Sequence, residues 1–144
     1  MVIGIIGENC SGKSTLAGEI KKVLGGEVIT GKDYLRMAKS EEDAASLFRK
    51  KLDQALTSGT ILYVISDMEQ LRLLPEGAVR ILVSADLDTI KERFRTRMHG
   101  NLPGPVAQML EKKHGMFDAV TCDYRFDGVH GDAAALCGML KSRL

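Results

Sequence analysis

A three-layer α/β fold, with a parallel sheet between two layers of helices, is what this sequence predicts, and three observations predict it. Short apolar runs alternate with longer amphipathic segments along the whole chain, the pattern of strands joined by helical crossovers. The first run, MVIGII at residues 1–6, is continuously apolar instead of alternating, as a central strand buried on both faces must be. That run then leads directly into a glycine-bearing loop, GENCSGKST, and on into a helical stripe, the strand, loop and helix order of a βα unit.

Composition narrows the class further. A chain of 144 residues, 44% of them hydrophobic, is long enough for one domain with its own core and needs neither disulfides nor metals to hold it. A net charge of +1 gives no global attraction to nucleic acid or to a membrane surface, so neither partner is expected. Cys10, Cys122 and Cys137 are odd in number and widely spaced, without a CxxC pair or histidines at zinc-finger spacing; they read as free thiols in a reducing compartment. Only about five apolar residues precede the loop, and no run approaches the roughly 18 that a membrane span needs. A soluble cytoplasmic protein is expected. Oligomeric state is not readable from the sequence.

The elements follow in order. KSTLAGEIKKVL, from Lys13, places Leu16, Ile20, Val23 and Leu24 on one helical stripe, and Gly25 and Gly26 end it. EVI is a short second strand, and a long charged helix is expected from about Asp33 to Leu56, up to the TSG break. TILYVIS (60–66) and AVRILVS (78–84) are β-rich runs separated by a short piece ending in PEG. DLDTIKERFRTRM opens with an acidic cap and carries its basic residues late, as a helix should. HGNLPGP is turn-rich and suits a mobile loop, and VAQMLEKKHGMF after it is expected to be helical. Two short runs, DAVTC and DYRF, compete for the last strand; periodicity does not separate them, and DYRFDG is the preferred assignment. DAAALCGMLKSRL closes the chain as a helix.

The loop carries chemistry. Gly7, Gly12, Lys13 and Ser14 satisfy the Walker A pattern GxxxxGK[ST]. Glycines let the backbone wrap a polyphosphate, the amides of Gly7, Glu8, Asn9, Cys10, Ser11, Gly12, Lys13, Ser14 and Thr15 together with the helix N-terminus supply positive potential, Lys13 bridges the outer phosphates, and the Ser14 hydroxyl ligates Mg²⁺. Cys10 reads as a permissive position, because amides do the cradling. The bland alternative is a structural glycine turn. A second expected part is an acidic residue at the end of a neighbouring strand, where it can hold the magnesium water shell; Asp67, after ILYVIS, fits, and so does the plainer role of capping the next helix.

Phosphate loops serve switches, motors and kinases alike, so the type of protein must be read elsewhere. Arg93 and Arg97 are four residues apart, hence on one helical face leading into HGNLPGP, with Arg95 on another face. Arginines at the root of a closing loop can neutralise a moving phosphoryl group, although a solvated basic stripe near a helix C-terminus has the same spacing. In VITGKDYLRMA, Asp33 and Arg36 lie one turn apart; the first could orient an acceptor hydroxyl and the second bind an acceptor phosphate, or they could be an N-cap and a surface arginine.

With these parts in place, the sequence resembles the small P-loop kinases of the nucleoside monophosphate kinase superfamily, which includes adenylate, cytidylate and guanylate kinases and, more distantly, shikimate kinases. The order of parts matches over nearly the whole chain. GENCSGKST is similar to their phosphate loop, and in ITGKDYLRMA the positions of Asp33, Leu35 and Arg36 match a Thr-Gly-Asp turn followed by Leu-Arg, with Thr30 and Gly31 displaced by an inserted Lys32. TIKERFRTRM resembles the arginine helix before the lid, which implies that Arg93 packs on the donor's adenine and Arg97 reaches its phosphates. DYRFDG is similar to the last strand and its turn, which would put Asp127, Gly128 and Val129 beside the base. The resemblance implies a three-layer P-loop NTPase fold with a five-stranded parallel sheet, an acceptor-binding helical region at about 33–58 and a short lid at about 98–104.

Departures from that pattern are as informative. The lid has no four-cysteine zinc site and no second arginine pair, although Lys112, Lys113 and His114 follow it. In place of the Asp-Gly-Phe-Pro-Arg element stands SDMEQLRLL, with Arg72 out of register, so a standard adenylate kinase is not expected. The leading expectation is an ATP- and Mg²⁺-dependent kinase acting on a small-molecule acceptor, a nucleotide or nucleoside, with Lys13, Ser14, Arg93 and Arg97 neutralising charge and Asp33 the base if the acceptor is an alcohol. The alternatives are a kinase of shikimate-like alcohols and a nucleotide-binding regulatory module without turnover. A GTPase switch is disfavoured, as no Asn-Lys-x-Asp motif occurs.

Overall fold

In the computed structural model, which describes residues 1–144, the apolar run at the N-terminus becomes β1 (Val2–Ile6), buried at every position. It sits in the middle of a five-stranded sheet in which β2 (Glu27–Thr30), β3 (Ile61–Ile65), β4 (Val79–Ser84) and β5 (Tyr124–Asp127) are arranged β2-β3-β1-β4-β5. All four neighbouring pairs are parallel, with Ile5 of β1 opposite Val64 on one side and Ile81 on the other. Parallel strands need crossovers, and helices α1 (Lys13–Leu24), α2 (Glu41–Ala55), α3 (Met68–Leu71), α4 (Leu87–Arg97), α5 (Gly104–Lys113) and α6 (Ala133–Lys141) lie between or after them.

Alternation along β1 divides the core. Val2 and Ile6 face a cluster with Phe48 and Leu52 of α2, Tyr63, Leu74 and Phe117, whereas Ile3 and Ile5 face Leu16 and Ile20 of α1 and Leu136 and Leu140 of α6. Fully burying each such side chain contributes about 1.5–3 kcal/mol. Gly4, between the two isoleucines, lies under Leu74, whose side chain occupies the space that a Cβ there would need. On the α2 face, Phe48 stacks on Tyr34 at 5.0 Å and meets Tyr63 edge-on at 4.9 Å. The Tyr63 hydroxyl donates to the Gly31 carbonyl at 2.9 Å, and burial pushes its phenol well above the ordinary tyrosine range.

Three expectations are corrected. The stretch from Asp33 to Leu56 is not one helix: a 3₁₀ turn (Asp33–Met37) ends at extended Ala38, and α2 restarts where Ser40 accepts the Asp43 amide at 3.1 Å. A new N-cap with Glu41, Glu42 and Asp43 in its first turn is a stronger start signal than the periodicity running through it. Val23, expected on the buried stripe of α1, is 43% exposed, and Ala17 packs inward with Leu16 and Ile20 in its stead. The segment HGMF leaves the helix, because α5 stops at Lys113 and Gly115 takes a left-handed φ of 81°. DYRF is the last strand, paired with β4 through Ser84 and Asp127, and DAVTC is turn and coil.

A candidate nucleotide-binding and phosphoryl-transfer site

Every strand points its C-terminal end to the same edge of the sheet, and the phosphate loop leaves β1 at that edge. Its backbone is fixed by need: Gly12 has φ 112°, and a Cβ on Gly7 would stand 2.6 Å from both Ser11 Oγ and the Val83 carbonyl, so only glycine is accommodated at either place. The Gly7 amide donates to Ile65 of β3, and the Ser11 amide closes the loop onto the Glu8 carbonyl, each at 3.1 Å. Cys10 also adopts a left-handed φ, 63°. Its side chain is 5% exposed and packs with Ile90 of α4 and Leu110 of α5, so the position is not merely permissive: the thiol fills a small core between the two helices.

Lys13 lies inside this loop. It is 6% exposed, and its ammonium donates to the Gly7 and Glu8 carbonyls at 2.6 and 2.8 Å. Burial, with the nearby Arg97 guanidinium adding to it, lowers its pKa to about 8. Ser11 is 1% exposed and its hydroxyl finds no partner. Ser14 and Thr15 are exposed at the start of α1.

Three cavities border the loop: one of about 350 Å³ lies beside Glu8, His114 and Asp127, and two others are lined by Lys13, Ser14, Arg93 and Arg97 between them. The larger of these two, about 340 Å³, lies between α1, α4 and the turn after β5, with Thr15, Arg93, Arg97, Phe126, Gly128 and Val129 among its walls; Asp127 borders it as well. Arg93 donates to the Cys10 carbonyl at 3.1 Å and to the Gly128 carbonyl at 2.8 Å, clamping the β5–α6 turn onto the loop. Gly128 runs so close that a Cβ would overlap the Ser11 carbonyl. Asp127 shapes the same turn by accepting the amides of Val129 and His130 at 2.8 and 3.1 Å, bonds that hold its carboxyl below the usual carboxylate range.

The smaller cavity, about 190 Å³, opens on the β2 and β3 side of the loop, where Asn9, Lys13, Ser14, Thr30, Ser66 and Arg97 face it. The structure therefore brings Lys13, Ser14 and Arg97 together and places Arg93 with Asp127, Gly128 and Val129. It does not bring Asp33 or Arg36 to either cavity; both are exposed on the 3₁₀ turn after β2. Asp67 caps α3, taking the Gln70 amide on one oxygen and the Gln70 side-chain amide on the other at 2.8 and 3.2 Å, and the Gln70 side-chain oxygen accepts the Ser66 amide. Ser66, which sequence reasoning passed over, is the β3-end residue that faces the cavity. Its position directly after a buried strand was the available signal. Glu8 was also passed over as a side chain: its carboxylate meets His114 and Gly115, and no local signal links positions so far apart.

A parallel sheet of order 2-3-1-4-5, with this loop after its central strand, defines the class: the chain has the fold of the small P-loop kinases. Among solved structures it is similar to the YorR protein of Bacillus subtilis, determined in complex with phosphorylated GDP (21% identity, TM-score 0.66, 99% of this chain and 95% of that one). It is also similar to shikimate kinase from Bacteroides thetaiotaomicron (14%, 0.61, 99% and 97%) and to a gluconokinase from Sinorhizobium meliloti (14%, 0.60, 99% and 96%). No protein-family model and no curated protein sequence matches the chain.

Proposed function

We propose that the chain is a kinase that uses ATP and Mg²⁺ to move the γ-phosphate to a small acceptor. One observation carries this reading: Cys10, Gly12 and Arg97 border the larger and the smaller cavity alike, so a group held there has a donor space on one side and an acceptor space on the other. A nucleotide in the larger cavity would lie against the Asp127–Val129 turn that Arg93 clamps, and its phosphates would run along the loop amides toward Lys13. Lys13 would exchange the Gly7 and Glu8 carbonyls for the outer phosphates, and Arg97 would meet the transferring group. The transition state is loose, so positioning and charge neutralisation are the main demands.

The residues fit a hard divalent cation. Ser14 offers an exposed hydroxyl at the cavity, and Asp67, next in sequence to the cavity-facing Ser66 but outside the cavity's lining, keeps a lone pair on each oxygen with which to hold the ion through a water. Ser14 and Asp67 would hold the ion, which would supply charge neutralisation to the bound phosphates.

For the acceptor, the small alcohol is favoured over the nucleotide or nucleoside. The smaller cavity's volume of about 190 Å³ falls below the roughly 300–1,000 Å³ usual for ligand sites. Its walls offer Asn9, Thr30 and Ser66 but no cation beyond Lys13 and Arg97, so nothing there awaits an acceptor phosphate. The names of the shikimate kinase and the gluconokinase among the similar structures support the same choice. Asp33 is the proposed base; from its exposed turn it reaches the acceptor only if that turn closes over the cavity.

Purified protein is to be assayed with MgATP against nucleotides, nucleosides, sugars and shikimate-like alcohols, reading acceptor-dependent ADP release. Turnover with an alcohol is expected. Turnover confined to nucleotides would restore the nucleotide reading, and ATP binding without turnover on any acceptor would make the chain a regulatory module.

A further inference from the structure

Glu8 occupies a loop position whose side chain phosphate chemistry does not require. Its carboxylate turns away from the two cavities that Arg97 borders and toward the third, beside the segment leaving α5. There Oε1 lies 2.9 Å from His114 Nδ1, and Oε2 accepts the Gly115 amide at 3.1 Å. The side chain is only 15% exposed. Gly115, in the left-handed region, turns the chain so that its N–H points back at the loop. The backbone of the same residue is engaged too: the Glu8 carbonyl accepts both Lys13 Nζ and the Ser11 amide. One residue thus joins the phosphate-binding lysine, the loop's own turn, and the end of the helix that follows the lid.

Other contacts make that helix a firm anchor. Leu110 of α5 packs on Cys10, two residues further along the loop, and Lys91 of α4 pairs with Glu111 of α5. Opposite the Glu8 tie, Arg93 of α4 holds the Cys10 carbonyl. The first half of the loop is therefore suspended between α4, α5 and His114. When Lys13 leaves the Glu8 carbonyl for a phosphate, the Ser11 amide and the carboxylate tie remain to hold that peptide, and of the two only the carboxylate fastens it to the segment after α5.

We propose that Glu8 is a positioning residue of the donor site: through His114 and Gly115 it holds the loop amides in the arrangement that receives the phosphates and registers α5 against them. This rests on the donor-site reading above. A purely structural tie would lower thermal stability when cut and leave nucleotide affinity alone, and affinity is what separates the two roles.

The test is calorimetric titration of MgATP into the full chain and into Glu8→Ala, Glu8→Gln, His114→Ala and the Glu8→Ala/His114→Ala pair, with folding checked by circular dichroism. We expect Glu8→Ala to weaken ATP binding about tenfold and Glu8→Gln to recover most of the loss, since an amide oxygen still accepts the Gly115 N–H. His114→Ala should lie between, and the double variant should bind no worse than Glu8→Ala alone, because the two act through one contact. Wild-type affinity in Glu8→Ala, or losses that add independently, would overturn the proposal. Should Glu8→Ala fail to fold, full affinity in both Glu8→Gln and His114→Ala would overturn it equally. No nucleotide binding by the wild type would sink the donor-site reading itself and the positioning role with it.

Discussion

Lys13 is the residue where folding and binding conflict most directly. Burial to 6% exposure, with the Arg97 charge nearby, lowers the pKa of its ammonium to about 8, against about 10.4 in an unfolded chain. The folded protein therefore binds fewer protons than the unfolded one between those values, and stability should rise with pH across that window. Below about pH 8 the burial penalty is present in full, on the order of 3 kcal/mol. A phosphate removes the penalty by supplying the missing charge. Two outcomes are expected. Lys13→Met, which keeps the apolar stem, should unfold in urea no more easily than the wild type, and by up to a few kcal/mol less easily, while losing ATP binding; an unstable variant that still binds ATP would refute both halves. Raising the pH from 8 to 9.5 should weaken ATP binding of the wild type by about tenfold per unit, with proton uptake detectable by titration in buffers of different ionisation enthalpy. A flat profile would mean that Lys13 is charged throughout.

At the scale of elements, the turn after β5 bears on the candidate site and the start of α2 on the fold. Gly128 has no room for a Cβ because the Ser11 carbonyl fills the space, and backbone cannot move aside as a side chain can. Gly128→Ala should therefore destabilise the fold by about 1–3 kcal/mol and separate the β5 turn from the loop, so that thermal unfolding and ATP affinity decline together; an unchanged melting temperature would mean that the turn is free to shift. Ser40→Ala removes the cap that restarts α2 and should cost about 1 kcal/mol, read as a lower urea midpoint. These sites also mark where the sequence was legible. Strands buried on both faces, and helices that begin at Asp86 or Asp132, announce themselves through composition and caps. The break at Ala38–Ser40 did not, since charged amphipathic periodicity ran through it while a local side-chain cap decided the outcome. The end of α5 was equally opaque: the helix stops at Lys113, and Gly115 then turns back to meet Glu8, a partner more than a hundred residues away.

Over the whole molecule, the parallel sheet brings to one edge residues that the chain keeps far apart, and Arg97 is where that convergence has its clearest consequence. The loop motif, the arginine pair and the DYRFDG turn were readable because each chemistry is local; Thr30 and Ser66 became site residues only through the order β2-β3-β1, which sets the ends of two strands beside the loop. Arg97 borders both of the cavities proposed for donor and acceptor, whereas Arg93 already has its guanidinium on two carbonyls. The two arginines should consequently fail in different ways. Arg97→Met should lower kcat by about 10²–10³-fold with the KM for ATP little changed, the signature of a group whose charge matters most as the phosphoryl moves between the cavities. Arg93→Met should raise the KM for ATP and lower the melting temperature, since it releases the turn that borders the nucleotide. Steady-state kinetics with whichever acceptor supports turnover decides the matter: if Arg97→Met changed only the KM for ATP and left kcat intact, the arginine would be a ground-state nucleotide contact, and the shared wall between the cavities would not be the path of transfer.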